Sequence, residues 1–267
     1  TKTLNNLKKN NKKALVAYLV AGDPDLDSTL DLMKIFVEAG VDVIEIGVPF
    51  TDPIAEGPII QRAHDRALDN NISLQKIYEM VKNYRKYDDE TPLVLMGYLN
   101  TFIFNKKLIE HNQNNAIDSV LVVDIPGELN LKDYGVYNSN INTISLISPT
   151  TKKDRVESIA KNSSGFVYYV TLRGVTGASN LDVNEINSNI EEIKKHATVP
   201  TLAGFGIKSA EDARLLSDCS DGVIIGSSIV KMIEEESSSK EFDRIGNYIS
   251  EIKKAISWAY FKIFYQV

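Results

Sequence analysis

At 267 residues, 43% of them hydrophobic and 25% charged, the chain has a globular composition and the length of one large α/β domain. A formal net charge of −6 argues against the basic face that a nucleic-acid-binding protein needs. The single cysteine, Cys219, rules out an internal disulfide and suits a cytoplasmic protein, and no apolar run is long enough for a membrane-spanning helix.

The basic start, residues 1–13, runs into an apolar stretch at 14–21 and superficially resembles a secretory signal. That stretch is short, and Gly22-Asp23-Pro24-Asp25 stands where small residues for cleavage belong, so a first buried strand is expected there instead. Apolar runs recur at 14–20, 41–46, 93–98, 119–123, 143–147, 166–171, 201–205 and 222–225. They are apolar at consecutive positions and rich in Val, Ile, Leu and Tyr, as strands covered on both faces are. Amphipathic segments separate them. Asp27 is expected to cap a helix with Leu30, Met33 and Val37 on one face, ended by Gly40. Ser73 is expected to cap another, carrying Leu74, Ile77, Val81 and Tyr84. Further helices are expected over 105–115, 152–161, 183–196, 209–216 and 242–263. Residues 127–138, broken by Gly135 and crowded with Asn, form the weakest helical pattern.

Two architectures alternate strands and helices in this way. An open doubly wound sheet calls for a Gly-rich phosphate turn after its first strand, but this chain has Ala21-Gly22-Asp23-Pro24 there and no G-x-G-x-x-G anywhere. A closed (β/α)8 TIM barrel, with residues 1–267 as a single domain, is expected.

The active site of a barrel lies at the carboxyl ends of its strands. The second strand places a lone carboxylate, Glu45, in an apolar run, where a charge is costly unless it has a partner or a task. Either an ion pair with a neighbouring strand or a catalytic role accounts for it. The loop that follows, residues 48–58, holds three prolines, an apolar tip at Phe50 and two acids, Asp52 and Glu56. Shaped loops of this kind on barrels commonly carry function. Glycines then cluster after the last three strands, in Arg173-Gly174-Val175-Thr176-Gly177, Gly204-Phe205-Gly206 and Gly226-Ser227-Ser228. Backbone N–H groups at such positions, and a helix N-terminus, can hold a phosphate without Lys or Arg.

Other constellations fail. Asp23, Asp25 and Asp27 alternate like a calcium loop, but Ser28 and Lys34 occupy its sixth and twelfth positions. His64, His111 and His196 are too dispersed for a metal site. The aromatic tail from Trp258 to Tyr265 reads as a cover for the barrel.

The segment Glu45-Ile46-Gly47-Val48-Pro49-Phe50-Thr51-Asp52-Pro53-Ile54-Ala55-Glu56-Gly57-Pro58-Ile59-Ile60-Gln61 resembles the signature of tryptophan synthase alpha subunits. The likeness continues through Tyr98 and Asn100, Asp124-Ile125-Pro126, residues 173–177, Gly204-Phe205-Gly206-Ile207 and Gly226-Ser227, and so covers residues 14–233 in order. It implies a barrel lyase without metal or organic cofactor that splits indole-3-glycerol phosphate into indole and glyceraldehyde 3-phosphate. It also implies an αββα assembly with a beta subunit, which holds pyridoxal phosphate and receives the indole. By resemblance Glu45 is the principal acid–base group and Glu56 the second catalytic carboxylate, a position where the family normally has aspartate. The resemblance puts Tyr18, Ile60, Met96, Tyr98, Leu121, Tyr168 and Phe205 in the indole pocket. Gly177, Gly206, Gly226 and Ser227 fall on the phosphate site and Thr176 on the closing loop. Residues 49–53 and 100–105 fall where the beta subunit docks.

The chemistry implied is a retro-aldol cleavage, which needs a proton on C3 of indole and a base for a glycerol hydroxyl. A second carboxylate near the ring N–H offsets the positive charge that develops. A subunit that mainly activates the beta chain by docking is the alternative. A different sugar-phosphate barrel enzyme would share the glycines but would need neither the apolar pocket nor the proline-rich loop.

Overall fold

The computed structural model describes residues 2–112, 116–171, 183–204 and 206–258. Strands β1 (Ala14–Val20), β2 (Val43–Gly47), β3 (Leu93–Gly97), β4 (Ser119–Val122), β5 (Asn142–Ile147), β6 (Val167–Val170), β7 (Thr201–Gly204) and β8 (Gly222–Ile225) close in sequence order into a parallel barrel. The helices are α1 (Lys2–Lys9), α2 (Leu26–Glu38), α3 (Pro58–Asp69), α4 (Leu74–Tyr84), α5 (Leu99–Phe104), α6 (Lys106–His111), α7 (Lys153–Asn162), α8 (Val183–His196), α9 (Ala210–Cys219), α10 (Ser227–Glu236) and α11 (Asp243–Trp258). The expected TIM barrel is therefore present. No helix among the described residues is long and apolar enough to cross a membrane.

Consecutive apolar residues are required because both faces of every strand are covered. On β1, Leu15, Ala17 and Leu19 join the layer between barrel and helices, whereas Ala14 and Val16 pack inside with Val43, Val94, Leu121 and Leu202. Leu4 and Leu7 of α1 pack against that inner cluster and close the amino end of the barrel.

Several local expectations need correction. The cap of α2 is Asp25, whose carboxylate accepts the Ser28 N–H at 2.7 Å, and Asp27 lies in the first turn. The buried face of that helix is led by Leu32, Met33 and Phe36, with Leu30 and Val37 at its margin. Ser73 caps α4 as expected, and Gly40 follows α2 at a left-handed φ of 99°. Within the expected helix over 105–115, α6 ends at His111, and α5 precedes it unforeseen. The stretch 127–138 holds only a 3-10 turn, Leu131–Tyr134, stopped by Gly135 at φ 75°. A small cavity of mixed polarity lies beside that turn against β4 and β5, lined by Val120, Ile125, Leu131 and Leu146 together with Asn130 and Thr143. The helix α3, absent from the sequence-derived set, begins at Pro58, where a missing N–H costs nothing.

Candidate active site

Tyr18 and Glu45 are register partners on β1 and β2, as are Met96 and Leu121 on β3 and β4. Side chains alternate along a strand, so the residues two steps from the inner-facing Val16, Val43 and Val94 also face the lumen. These are Tyr18, Glu45 and Met96, one layer nearer the carboxyl ends of the strands.

Glu45 is 1% exposed, and its Oε1 has no hydrogen-bond partner among the described residues. The ion pair that would have made it a structural carboxylate is not found among them. Burial, and then the nearby Glu56, push its carboxyl up to about 8. Glu56, half-buried on the loop after β2, is pushed by burial to about 7. The more deeply buried Glu45 is held higher than Glu56, so Glu56 is the first of the two to ionise as pH rises.

The loop holding Glu56 is fixed through its backbone. The Glu56 N–H donates to the Pro53 carbonyl at 3.0 Å, and the Glu56 carbonyl accepts from the Gln61 side chain at 2.9 Å. Ala55 N–H donates to the Tyr98 hydroxyl at 3.0 Å, while the Phe50 ring stacks on Tyr98 with centroids 4.6 Å apart. Phe50 N–H donates to Nδ1 of His64, at 3.0 Å. His64 is 2% exposed, and burial lowers its imidazole to about 4, so it stays a neutral acceptor.

The remaining pocket assignments converge. Ile60 of α3 packs with Tyr18, Val20, Met96 and Val230, and Leu121, Met96 and Tyr168 pack in the barrel interior. Tyr18 is beside Glu45 by strand register, and burial raises the hydroxyls of Tyr18 and Tyr168, with both carboxylates raising them further.

The described phosphate candidates also come together. Gly226 caps α10, Ser227 is the first residue of that helix, and Gly206 adopts a left-handed φ of 76°. Ser228 Oγ donates to the Ile207 carbonyl at 2.8 Å and so ties the loop after β7 to the start of α10. Tyr18 packs against Gly226, where an added Cβ would lie 3.4 Å from the Cβ of Tyr18. Thr176, Gly177 and Phe205 lie outside the described residues.

Two features escaped the sequence reading. His64, considered only as a metal ligand, is a loop support. Asp23, considered only for calcium, is 1% exposed and accepts two hydrogen bonds from Arg66 at 2.7 and 2.8 Å. Arg62 and Arg66 also grip Glu234, at 2.7 and 2.8 Å, and so clamp α3 to α10. Their spacing of four on one helix was the available signal. Among the described residues no group of three or more His, Cys, Asp or Glu side chains could hold a metal ion.

The tryptophan synthase alpha chain family matches residues 4–257. The tryptophan synthase alpha chain of Neisseria meningitidis serogroup B is 44% identical over 252 residues, covering 91% of this chain and 94% of its own. Among solved structures, tryptophan synthase subunit alpha of Legionella pneumophila superposes with a TM-score of 0.86 at 36% identity, covering 96% of this chain and 97% of that one. A chain of the tryptophan synthase a2b2 complex of Pyrococcus furiosus gives 0.81 at 32% identity, covering 90% and 98%.

Proposed function

The chain belongs to the tryptophan synthase alpha chain family, lyases that cleave indole-3-glycerol phosphate to indole and glyceraldehyde 3-phosphate, and we propose how its side chains divide that reaction. Glu45 enters the cycle protonated and delivers its proton to C3 of the indole ring. The ring becomes an indoleninium, and Glu56, ionised near the ring N–H, offsets the positive charge. The ionised Glu45 then takes the proton from the hydroxyl on the glycerol carbon bonded to the ring. The C–O bond becomes a carbonyl, the C–C bond breaks, and its electron pair restores the aromatic ring. Indole leaves carrying the added hydrogen at C3. Glu45 is again protonated, and the cycle closes without a net proton.

Tyr18, Ile60, Met96, Tyr98, Leu121, Tyr168 and Phe205 form the walls of the indole pocket. The backbone at Gly177, Gly206, Gly226 and Ser227 receives the phosphate at the start of α10, and Thr176 helps close the site. The two proton transfers fall to Glu45 and the protonated ring accepts the electron pair of the breaking C–C bond, so the reaction as written draws on no cofactor in this chain. The observation that carries the assignment is the pair of acids at the carboxyl end of the barrel, with Glu45 1% exposed and its Oε1 unpartnered among the described residues, so that burial pushes both carboxyls up.

The partner is a beta subunit in an αββα assembly, a reading supported by the a2b2 complex of the Pyrococcus relative, with pyridoxal phosphate assigned to that subunit and the assembly to the cytoplasm. Residues 49–53 and 100–105 offer the contact. Around them Ile54 is 84% and Phe104 87% exposed, unusually bare for large apolar side chains.

The decisive assay is indole release from indole-3-glycerol phosphate by the purified chain, alone and with a beta subunit. Equal amounts of indole and glyceraldehyde 3-phosphate are expected, released faster with the partner. Stimulation of the beta reaction without any indole release would overturn the assignment in favour of a docking subunit.

A further inference from the structure

As a pocket wall, Tyr18 needs only its ring. Its hydroxyl is nevertheless buried, with the residue 3% exposed, and has no hydrogen-bond partner among the described residues. Leaving a desolvated hydroxyl unpaired is unfavourable, a cost that phenylalanine would avoid. The hydroxyl lies over the backbone of Gly47, where an added Cβ would come within 2.3 Å of the oxygen, so any side chain at position 47 would displace it. Two residues earlier on the same strand stands Glu45, the register partner of Tyr18, with an unpartnered oxygen of its own. A buried donor and a buried acceptor, both uncommitted, therefore face one lumen from adjacent strands.

Among the described residues, the titratable groups around the Tyr18 hydroxyl are Glu56 from the loop, Glu45 from β2, Tyr98 from the end of β3 and Tyr168 from β6, and none of these is a cation. Tyr98 is already engaged through its oxygen by the Ala55 N–H. An ionised Glu45, which the second half of the reaction requires, would be a buried anion in need of a donor. The hydroxyl on the neighbouring strand is placed to supply one.

We propose that Tyr18 is a positioning residue of the proton relay, its O–H donating to the Glu45 carboxylate whenever Glu45 is ionised and releasing it when Glu45 is protonated. The donated bond stabilises the anion left after C3 is protonated and holds it near the reacting hydroxyl. The proposal rests on Glu45 being the proton carrier.

Tyr18→Phe keeps the ring and removes only the donor. Loss of a donor to the ionised form raises the carboxyl's pKa, so the alkaline limb of the kcat profile moves up by about one pH unit. The plateau falls by about tenfold, the same difference expressed as an equilibrium, while the affinity for indolepropanol phosphate is unchanged. A readout independent of turnover is the titration of Glu45 in protein labelled with 13C at the glutamate δ-carbons, with the resonance assigned by its disappearance in Glu45→Gln. Its midpoint moves up by the same amount in Tyr18→Phe. A midpoint that stays in place or moves down overturns the proposal and returns Tyr18 to a wall. Full turnover by Glu45→Gln would instead overturn the assignment of Glu45, whatever Tyr18→Phe does.

Discussion

At the amino end of the barrel, Asp42, Asp118 and Asp221 each stand just before a strand and accept a backbone N–H from the strand beside it. The donors are Leu15, Leu93 and Thr201, at 2.7, 2.9 and 2.8 Å. Each of these carboxylates also meets a cation: Lys253 at Asp42, Arg85 at Asp118, and Lys194 with Lys8 at Asp221. At the carboxyl end Glu45 and Glu56 have no cation among the described residues, and burial pushes both carboxyls up. One rim uses its acids to fix strand starts. The other holds acids where solvation is poor and their protons are available near neutrality. Under the proposed assignment the same residue class serves stability at one end and chemistry at the other, a division that barrels show between their two faces.

The contrast is broken most severely by Glu45→Gln. Removing the group proposed to act as acid and then as base is expected to lower kcat by roughly 10²–10⁴-fold or more. If Glu45 were structural, the same change would destabilise the fold; the opposite is expected. Its carboxyl has an ordinary value of 4.5 and sits at about 8 in the folded chain. Between those values the folded chain holds a proton that the unfolded chain has lost, so wild-type stability falls as pH rises through that window. Glu45→Gln escapes the loss. It should melt above wild type at pH 8, by a difference on the order of a few kcal/mol, and lose that advantage as pH falls toward 4.5. Thermal melts at the two pH values check the sign.

The opposite test is Asp42→Ala. It strips an acceptor from the N–H of the fully buried Leu15 and leaves Lys253 without its carboxylate. A loss of about 1–3 kcal/mol in denaturant unfolding is expected, with kcat for indole release unchanged in the folded fraction. A fall in kcat without loss of stability would erase the distinction between the two rims.

How much of this could be read from the sequence differed between the rims in the same way. Consecutive apolar runs revealed all eight strands, because burial on both faces writes itself into every position. Glu45 was legible because a charge in such a run is conspicuous. The partners of Asp42, Asp118 and Asp221 were not, since each pairing joins residues far apart in the chain whose types are ordinary in turns. Asp25 displaced Asp27 as the cap of α2 because both can cap, and only the backbone conformation decides between them. The turn at Leu131–Tyr134 takes a place where a barrel helix is usual, and the Asn-rich sequence there showed only a weakened pattern. Family resemblance named Glu45 and Glu56 together, and the structure brings Glu56 near Glu45, whereas the support of that loop by His64 depends on a contact across fourteen residues that no local pattern announces.

That support yields the smallest expected effect and sharpens the contrast, because it places a structural device on the catalytic rim. Nδ1 of His64 accepts from Phe50 N–H, so the ring proton resides on Nε2. Phe50 in turn stacks on Tyr98, which receives the N–H of Ala55, the residue before Glu56. The imidazole therefore acts on the second carboxylate only through the loop. His64→Leu fills similar space without an acceptor and should cost about 1 kcal/mol of loop order, or roughly a fivefold fall in kcat. His64→Asn places an amide oxygen near the position of Nδ1 and should restore most of that activity. Asparagine as poor as leucine, with both variants folded, would show that the ring fills space and that the hydrogen bond to Phe50 leaves Glu56 unaffected.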